Sequence, residues 1–191
     1  MDSISLYSIS LFLHIVGALG LFASLAFEQA GLLNLRRAST NAQAREWLSL
    51  LRAPQRIQGP SALVLLVTGV YMMITSWRHQ AWPGLGLVGM VLMAIIGVAI
   101  SGRRMRAIGR ALPGNDGPLP ATLRERLDDP ALRMSASVRV ALALGIVFNM
   151  SVKPAVGGAV AALIIPAALV AAAARTTRRS SRSMRRPAVQ E

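Results

Sequence analysis

Apolar residues in this chain form long uninterrupted runs that are separated by Arg-rich polar stretches. The runs cover about 4–35, 60–77, 85–101 and 138–174. They are longer than the alternating strands of a membrane β-barrel, and a helix satisfies its backbone hydrogen bonds within its own segment. The pattern therefore predicts an all-α, polytopic bundle of membrane-spanning helices.

The last apolar run is too long for one crossing, because a helix of about 20 residues spans the hydrocarbon core. Lys153 and Pro154 lie near its middle and combine a charge with a helix breaker. Dividing the run there predicts five spanning helices, at about 4–35, 60–77, 85–101, 136–152 and 155–174. The alternative is four crossings with one long broken helix, since the short fourth helix would require local thinning or tilt.

The basic residues lie between and after the apolar runs. The chain has 21 Lys and Arg against 8 Asp and Glu, a formal net charge of +13. This placement predicts that the Arg-rich loops and the basic tail 176–191 determine the membrane topology and contact anionic lipid headgroups. It does not favour nucleic-acid binding. With five crossings and the N-terminus outside, the C-terminal tail is cytoplasmic and only Arg78 and Lys153 lie outside.

The sequence lacks the residue motifs of most known catalytic sites. The absence of cysteine excludes disulfides and thiolate metal sites. There is no Gly-rich phosphate loop followed by Lys, no carboxylate pair within a spanning run and no metalloprotease His-Glu motif. We therefore predict no catalytic residue, and whether the protein is an enzyme stays open.

Polar residues within the apolar runs are candidates for a site, because ionisable groups in spanning helices are costly. His14 lies in the outer half of the first helix, and Asn149 lies one turn before Lys153. We expect these three residues to line one outward-facing pocket beneath the turn from Trp77 to Trp82. The neutral imidazole of His14 is a candidate haem or metal ligand. An interhelical hydrogen bond is the simpler alternative.

Other polar and sulfur-containing residues could complete such a site or serve the fold. A second soft ligand for haem iron or copper could come from Met72, Met73, Met90, Met93 or Met150, although methionine at helical spacing also serves plain packing. Glu28 lies near the cytoplasmic end of the first helix, where we expect a structural pair with Arg52 or Arg56.

Three short motifs resemble a superfamily of small bacterial membrane proteins. They are Leu13-His14-Ile15 followed by Phe22-Ala23-Ser24-Leu25, Gly59-Pro60 followed by Gly69-Val70-Tyr71, and Met150-Ser151-Val152-Lys153-Pro154. The superfamily includes a family of integral membrane proteins without assigned activity, the membrane domain of copper-resistance D proteins, and HemJ-type protoporphyrinogen oxidase. The resemblance implies the bacterial cytoplasmic (inner, or plasma) membrane.

The oxidase branch binds haem b through a first-helix histidine, which by resemblance is His14. It closes its fourth helix with a Lys-Pro pair, which by resemblance is Lys153 and Pro154. That branch also has a Trp and then a Lys at the start of the third helix, whereas Trp82 here is followed by Pro83 and apolar residues. The resemblance therefore favours the branch without assigned activity.

Three functions stay open at this point. The first is a membrane protein that binds haem b through His14, and the second is a copper-handling protein that uses His14, His79 and methionines. The third is a structural subunit of a membrane complex without a cofactor, as a homo-oligomer or with another membrane partner.

Overall fold

The computed structural model describes the backbone of residues 5–183 and the side chains of residues 5–173. Within that range the chain forms helices and no strand. The helices are α1 (Leu6–Arg37), α2 (Asn41–Leu50), α3 (Arg52–Ser76), α4 (Trp82–Ile96), a π-helical segment (Gly97–Gly102), α5 (Arg103–Ala111), α6 (Ala121–Leu127), α7 (Pro130–Val152) and α8 (Val156–Ser183). Residues 184–191 of the predicted basic tail, and residue 4, lie outside the described residues.

Five helical stretches in this part of the chain are long and apolar enough to cross a membrane. They are Leu6–Arg37, Asn41–Ser76, Trp82–Ala111, Ala121–Val152 and Val156–Ala173. The predicted all-α bundle is confirmed, and the number of helices suited to spanning is five rather than four.

The division between α7 and α8 falls at Lys153, as predicted. Lys153 has a left-handed backbone with φ of 51°, and its N–H donates to the Asn149 carbonyl at 3.0 Å. Pro154 follows and cannot continue the helical ladder. A Cβ at Gly145 would overlap the backbone carbonyl oxygen of Ala162, so the two helices pack closely side by side as a hairpin.

Several helices extend beyond the apolar runs. α3 begins at Arg52, so Pro60 lies inside the helix rather than at its start. α7 begins at Pro130 and is capped by Asp129, whose Oδ1 accepts a backbone N–H at 2.9 Å. Its 23 residues extend over about 34 Å, which is sufficient to cross the hydrocarbon core without the thinning expected for a shorter helix.

Helix pairs in the bundle are antiparallel. Along α1, Gly17 lies against Leu65 of α3, and Gly31 lies against Leu51, the residue before α3. On α4 and α7, Gly89 lies against Ile146, and beyond α4 the hydroxyls of Ser101 and Ser135 are 2.7 Å apart. Residue numbers thus rise on one helix as they fall on its neighbour. Two ends result: the Trp end holds Trp77, Trp82 and Lys153, and the Arg end holds Arg36, Arg104, Asp128 and Asp129.

The Arg end has its own small core beneath the polar stretch after α5. Leu35, Ile108, Leu123 and Leu127 are nearly inaccessible there. Ion pairs join Arg36 to Asp128 at 2.7 Å and Arg104 to Asp129 at 2.6 Å. The Pro/Gly-rich stretch is therefore a folded cover over one end of the bundle.

Candidate functional site

His14 lies buried in the contact between α1 and α3, with Nδ1 2.9 Å from Oγ1 of Thr68. Thr68 has one hydroxyl proton, which it donates to the Val64 carbonyl at 2.6 Å. With the hydroxyl proton on the Val64 carbonyl, the Thr68 oxygen accepts from His14, and the imidazole proton then lies on Nδ1. The neutral ring then carries a lone pair on Nε2, and no residue described in the structure donates a hydrogen bond to that nitrogen.

Gly69 provides the space that the imidazole occupies. A Cβ at this position would lie 3.2 Å from Cε1 of His14, closer than side chains normally approach. The hydroxyl of Thr68 and the missing side chain of Gly69 together fix the ring orientation. The sequence had indicated neither role, although a Thr within an apolar helix is a residue type that bonds to buried polar groups.

A cavity of about 600 Å³ lies at the Trp end, between α1, α3, α4 and α7. We call it the Trp-end cavity. This volume falls within the roughly 300–1,000 Å³ typical of small-molecule sites. Its walls are mostly apolar and include His14, Lys153, Trp77 and Trp82, with the thioethers of Met72, Met73, Met90 and Met150. The structure thus brings His14 and Lys153 to one cavity.

Lys153 lies at the Trp end against Trp77. Its Nζ is 4.3 Å from the centroid of the Trp77 ring, which is cation–π geometry. Trp77 and Trp82 contact each other edge to face, with ring centroids 5.3 Å apart. The left-handed backbone at Lys153 is costly for a residue with a side chain, and such strain is often retained at functional positions.

Asn149 does not line the Trp-end cavity, so the expectation that it shares a pocket with His14 and Lys153 is wrong. Its side chain is fully buried, and its Nδ2 donates to the Ala159 carbonyl on α8 at 3.1 Å. Asn149 and Lys153 would share one face only if α7 continued. The left-handed residue ends the helix, so Asn149 faces the hairpin partner and Lys153 faces the cavity.

Two other residues of the sequence hypotheses also lie outside this cavity. His79 is exposed in the turn between α3 and α4, and Met93 packs in the core with Leu163. Among the described residues there is no group of three or more His, Asp and Glu side chains placed to hold a metal ion. Any metal in the Trp-end cavity would therefore depend on His14 and thioethers.

Glu28 pairs with Arg139 of α7, so the expected pair with Arg52 or Arg56 is wrong. The Arg139 side chain is only 3% exposed, and Glu28 is 24% exposed. Gly97 makes room for the guanidinium, since a Cβ there would lie 3.1 Å from its Nη1. From the sequence, Arg139 falls inside the predicted fourth helix, 136–152, near its cytoplasmic end, and no partner is predicted for it. Because α7 begins at Pro130, nine residues before Arg139, the guanidinium lies within the bundle and reaches Glu28.

No protein-family model, curated protein sequence or solved structure matches this chain. The geometry of the described residues is therefore the main basis for the function proposed below.

Proposed function

We propose that this chain is a multi-pass protein of the bacterial cytoplasmic membrane, with its N-terminus outside and its C-terminus in the cytoplasm. The five apolar helices support a spanning protein. Among residues 5–173, arginines are concentrated at the Arg end, whereas the Trp end carries only Arg78 and Lys153. The positive-inside rule then favours a cytoplasmic Arg end, whose arginines contact anionic headgroups.

The absence of native cysteine allows a clean test of this orientation. Single cysteines replace Gln80 in the Trp-end turn and Gly114 in the Arg-end cover, where a side chain meets open space. We expect a membrane-impermeant maleimide to label Gln80→Cys in intact cells and Gly114→Cys only after permeabilisation. The reverse pattern would invert the proposed orientation.

We further propose that the Trp-end cavity binds haem b with His14 as axial ligand. The observation that carries this proposal is the Nε2 lone pair of His14, left free because Thr68 holds the other ring nitrogen. Aromatic and aliphatic walls suit a flat apolar macrocycle, and the Lys153 ammonium suits a carboxylate at its edge. Bound haem would supply redox chemistry, while the chain supplies the ligand, its orientation and an apolar surrounding.

The absorption spectrum of the purified full-length protein, produced with haem supplied, tests this proposal. We expect a Soret band that His14→Ala abolishes and that the matched variant His79→Ala, which changes the histidine outside the cavity, retains. A colourless wild-type protein, or a Soret band that survives His14→Ala, would contradict haem ligation by His14.

A copper-handling role is the second candidate, favoured by one observation. Four methionine side chains line the same cavity as His14, and thioether and imidazole ligands suit Cu(I). Equilibrium Cu(I) binding should then weaken in both His14→Ala and Met150→Leu. A Cu(I) affinity that is unchanged in both variants would reject this role. A protein that binds neither haem nor copper but co-purifies with a membrane partner would instead indicate a structural subunit.

A further inference from the structure

A second and larger cavity opens toward the Arg end between α3 and α4. We call it the α3–α4 groove, and its volume is about 1190 Å³. The two helices are joined at the Trp end but make little contact along their lengths. The apolar side chains that line the groove include Leu63, Leu66, Val91 and Val98, and all four are exposed in the isolated chain. Within a bilayer the groove is therefore open to the lipid chains.

Three arginines without acidic partners lie at the Arg-end rim of this groove. Within residues 5–173, Arg52, Arg106 and Arg110 form no ion pair. The groove's other rim arginine, Arg45, is neutralised by Asp116. The rim therefore carries an uncompensated positive charge at one end of apolar walls.

Arg139 adds a buried guanidinium to the wall of the same groove, deeper than the rim. It lies nine residues after the start of α7, which corresponds to about 14 Å along the helix axis. The pair with Glu28 uses Nη2, whereas Nε is inaccessible and has no hydrogen-bond partner among the described residues. Because Nε is inaccessible, an occupant of the groove cannot reach it, and Arg139 contributes to the groove wall as the buried partner of Glu28.

The π-helical segment Gly97–Gly102 forms part of this wall. Its residues Gly97 and Ser101 line the groove, and Ser101 Oγ lies 3.4 Å from Nη2 of Arg139. π-helical turns are uncommon and occur often at functional sites, because they re-aim side chains on an otherwise regular helix. This irregularity follows α4 and lies where the Arg139 guanidinium packs against the groove wall.

We propose that the α3–α4 groove binds an anionic phospholipid from the surrounding leaflet. The phosphate interacts with Arg52, Arg106 and Arg110, and an acyl chain lies along the exposed apolar walls. A soluble anion would not use the apolar walls, and a zwitterionic lipid would not neutralise the rim. The inference depends on the proposed membrane location but not on haem.

The lipid headgroup, rather than the acyl chain, determines which lipid the groove prefers. Lipid chains are as apolar as the groove walls, so a chain gains little by leaving the bilayer. Each arginine near the headgroup contributes about a fivefold preference for an anionic lipid, so three contribute roughly a hundredfold preference.

The experiment measures lipids retained by the full-length protein after purification from vesicles of phosphatidylglycerol and phosphatidylcholine in equal amounts. Wild-type protein should be enriched in phosphatidylglycerol, and the triple variant R52Q/R106Q/R110Q should lose most of the enrichment. The matched control R37Q/R126Q/R133Q removes the same charge from exposed residues that do not line the groove. It should retain the enrichment.

A second variant separates a groove from simple surface attraction. Ala94→Trp fills the groove at an exposed position of α4 while keeping every arginine, and it should release the bound lipid. Equal losses in the two arginine triples, or full retention in Ala94→Trp, would overturn the proposal. If the Soret band and the cysteine labelling are as expected but no lipid is retained, only the proposal of lipid binding in the groove is rejected. If the labelling is inverted, the proposed membrane orientation is rejected as well.

Discussion

Removal of one partner from the Glu28–Arg139 pair should destabilise the protein far more than removal of both. Breaking a buried pair leaves an uncompensated charge, at a cost of about 3–5 kcal/mol. Arg139→Met leaves a carboxylate that is 24% exposed toward the groove, so we expect the lower end of that range. Glu28→Met leaves a guanidinium that is 3% exposed, with only Ser101 Oγ at 3.4 Å as a remaining acceptor, so we expect the upper end.

The double variant Glu28→Met/Arg139→Met has no stranded charge. Replacement of a buried ion pair by apolar residues of similar size is often neutral, and hydrocarbon lies close to this pair. We therefore expect the double variant to be destabilised by about 1 kcal/mol, less than either single variant. This reversal is the signature of an energetically coupled pair.

The free energy of unfolding can be measured in mixed micelles by titration with a denaturing detergent, followed by tryptophan fluorescence. The pair Arg36–Asp128 is the matched control, because Asp128 is 55% exposed. Arg36→Gln/Asp128→Asn should change stability by about 1 kcal/mol or less. The idea of a buried coupled pair would be refuted if each single variant of Glu28 or Arg139 lost little unfolding free energy. It would also be refuted if the two losses were additive in the double variant.

Three further substitutions test the rest of the geometry. Thr68→Val removes the acceptor that orients His14, so haem affinity should fall about 10–100-fold while the fold is retained, as a haem titration would measure. Gly145→Ala should cost about 1–3 kcal/mol of unfolding free energy, because its Cβ meets a backbone carbonyl of α8, whereas Gly157→Ala meets open space and should not destabilise. Lys153→Gly relieves a left-handed backbone but loses the cation–π contact, so stability should change by about 1 kcal/mol or less while haem affinity falls.

Apolar run length was sufficient to predict the helices, because spanning lipid requires a fixed length of apolar residues. The break at Lys153 was also predictable, since a charge followed by proline cannot continue a helix in an apolar surrounding. Both signals are local in the sequence, and they place His14 and Lys153 at one end of the bundle before any packing is known.

The features that the sequence did not predict depend on packing between helices. The apolar pattern begins several residues after Pro130, where α7 starts, so Arg139 was expected near the end of its helix although it is buried well inside α7. Its partner Glu28 is 111 positions away in the chain. Asn149 was assigned to the wrong face because the left-handed residue after α7 changes the direction of the chain. No local pattern encodes these three placements.

The two cavities are adjacent, yet their chemistry is separate. Leu21, Leu66 and Met90 line both cavities, so the wall between them is formed by apolar side chains. His14 and Glu28 are 14 residues apart on α1, which corresponds to about 21 Å. Substitutions separated by more than about 10 Å without shared partners usually act additively. The arginine variants of the groove should therefore leave the spectrum of the Trp-end cavity unchanged, and His14→Ala should leave lipid retention unchanged.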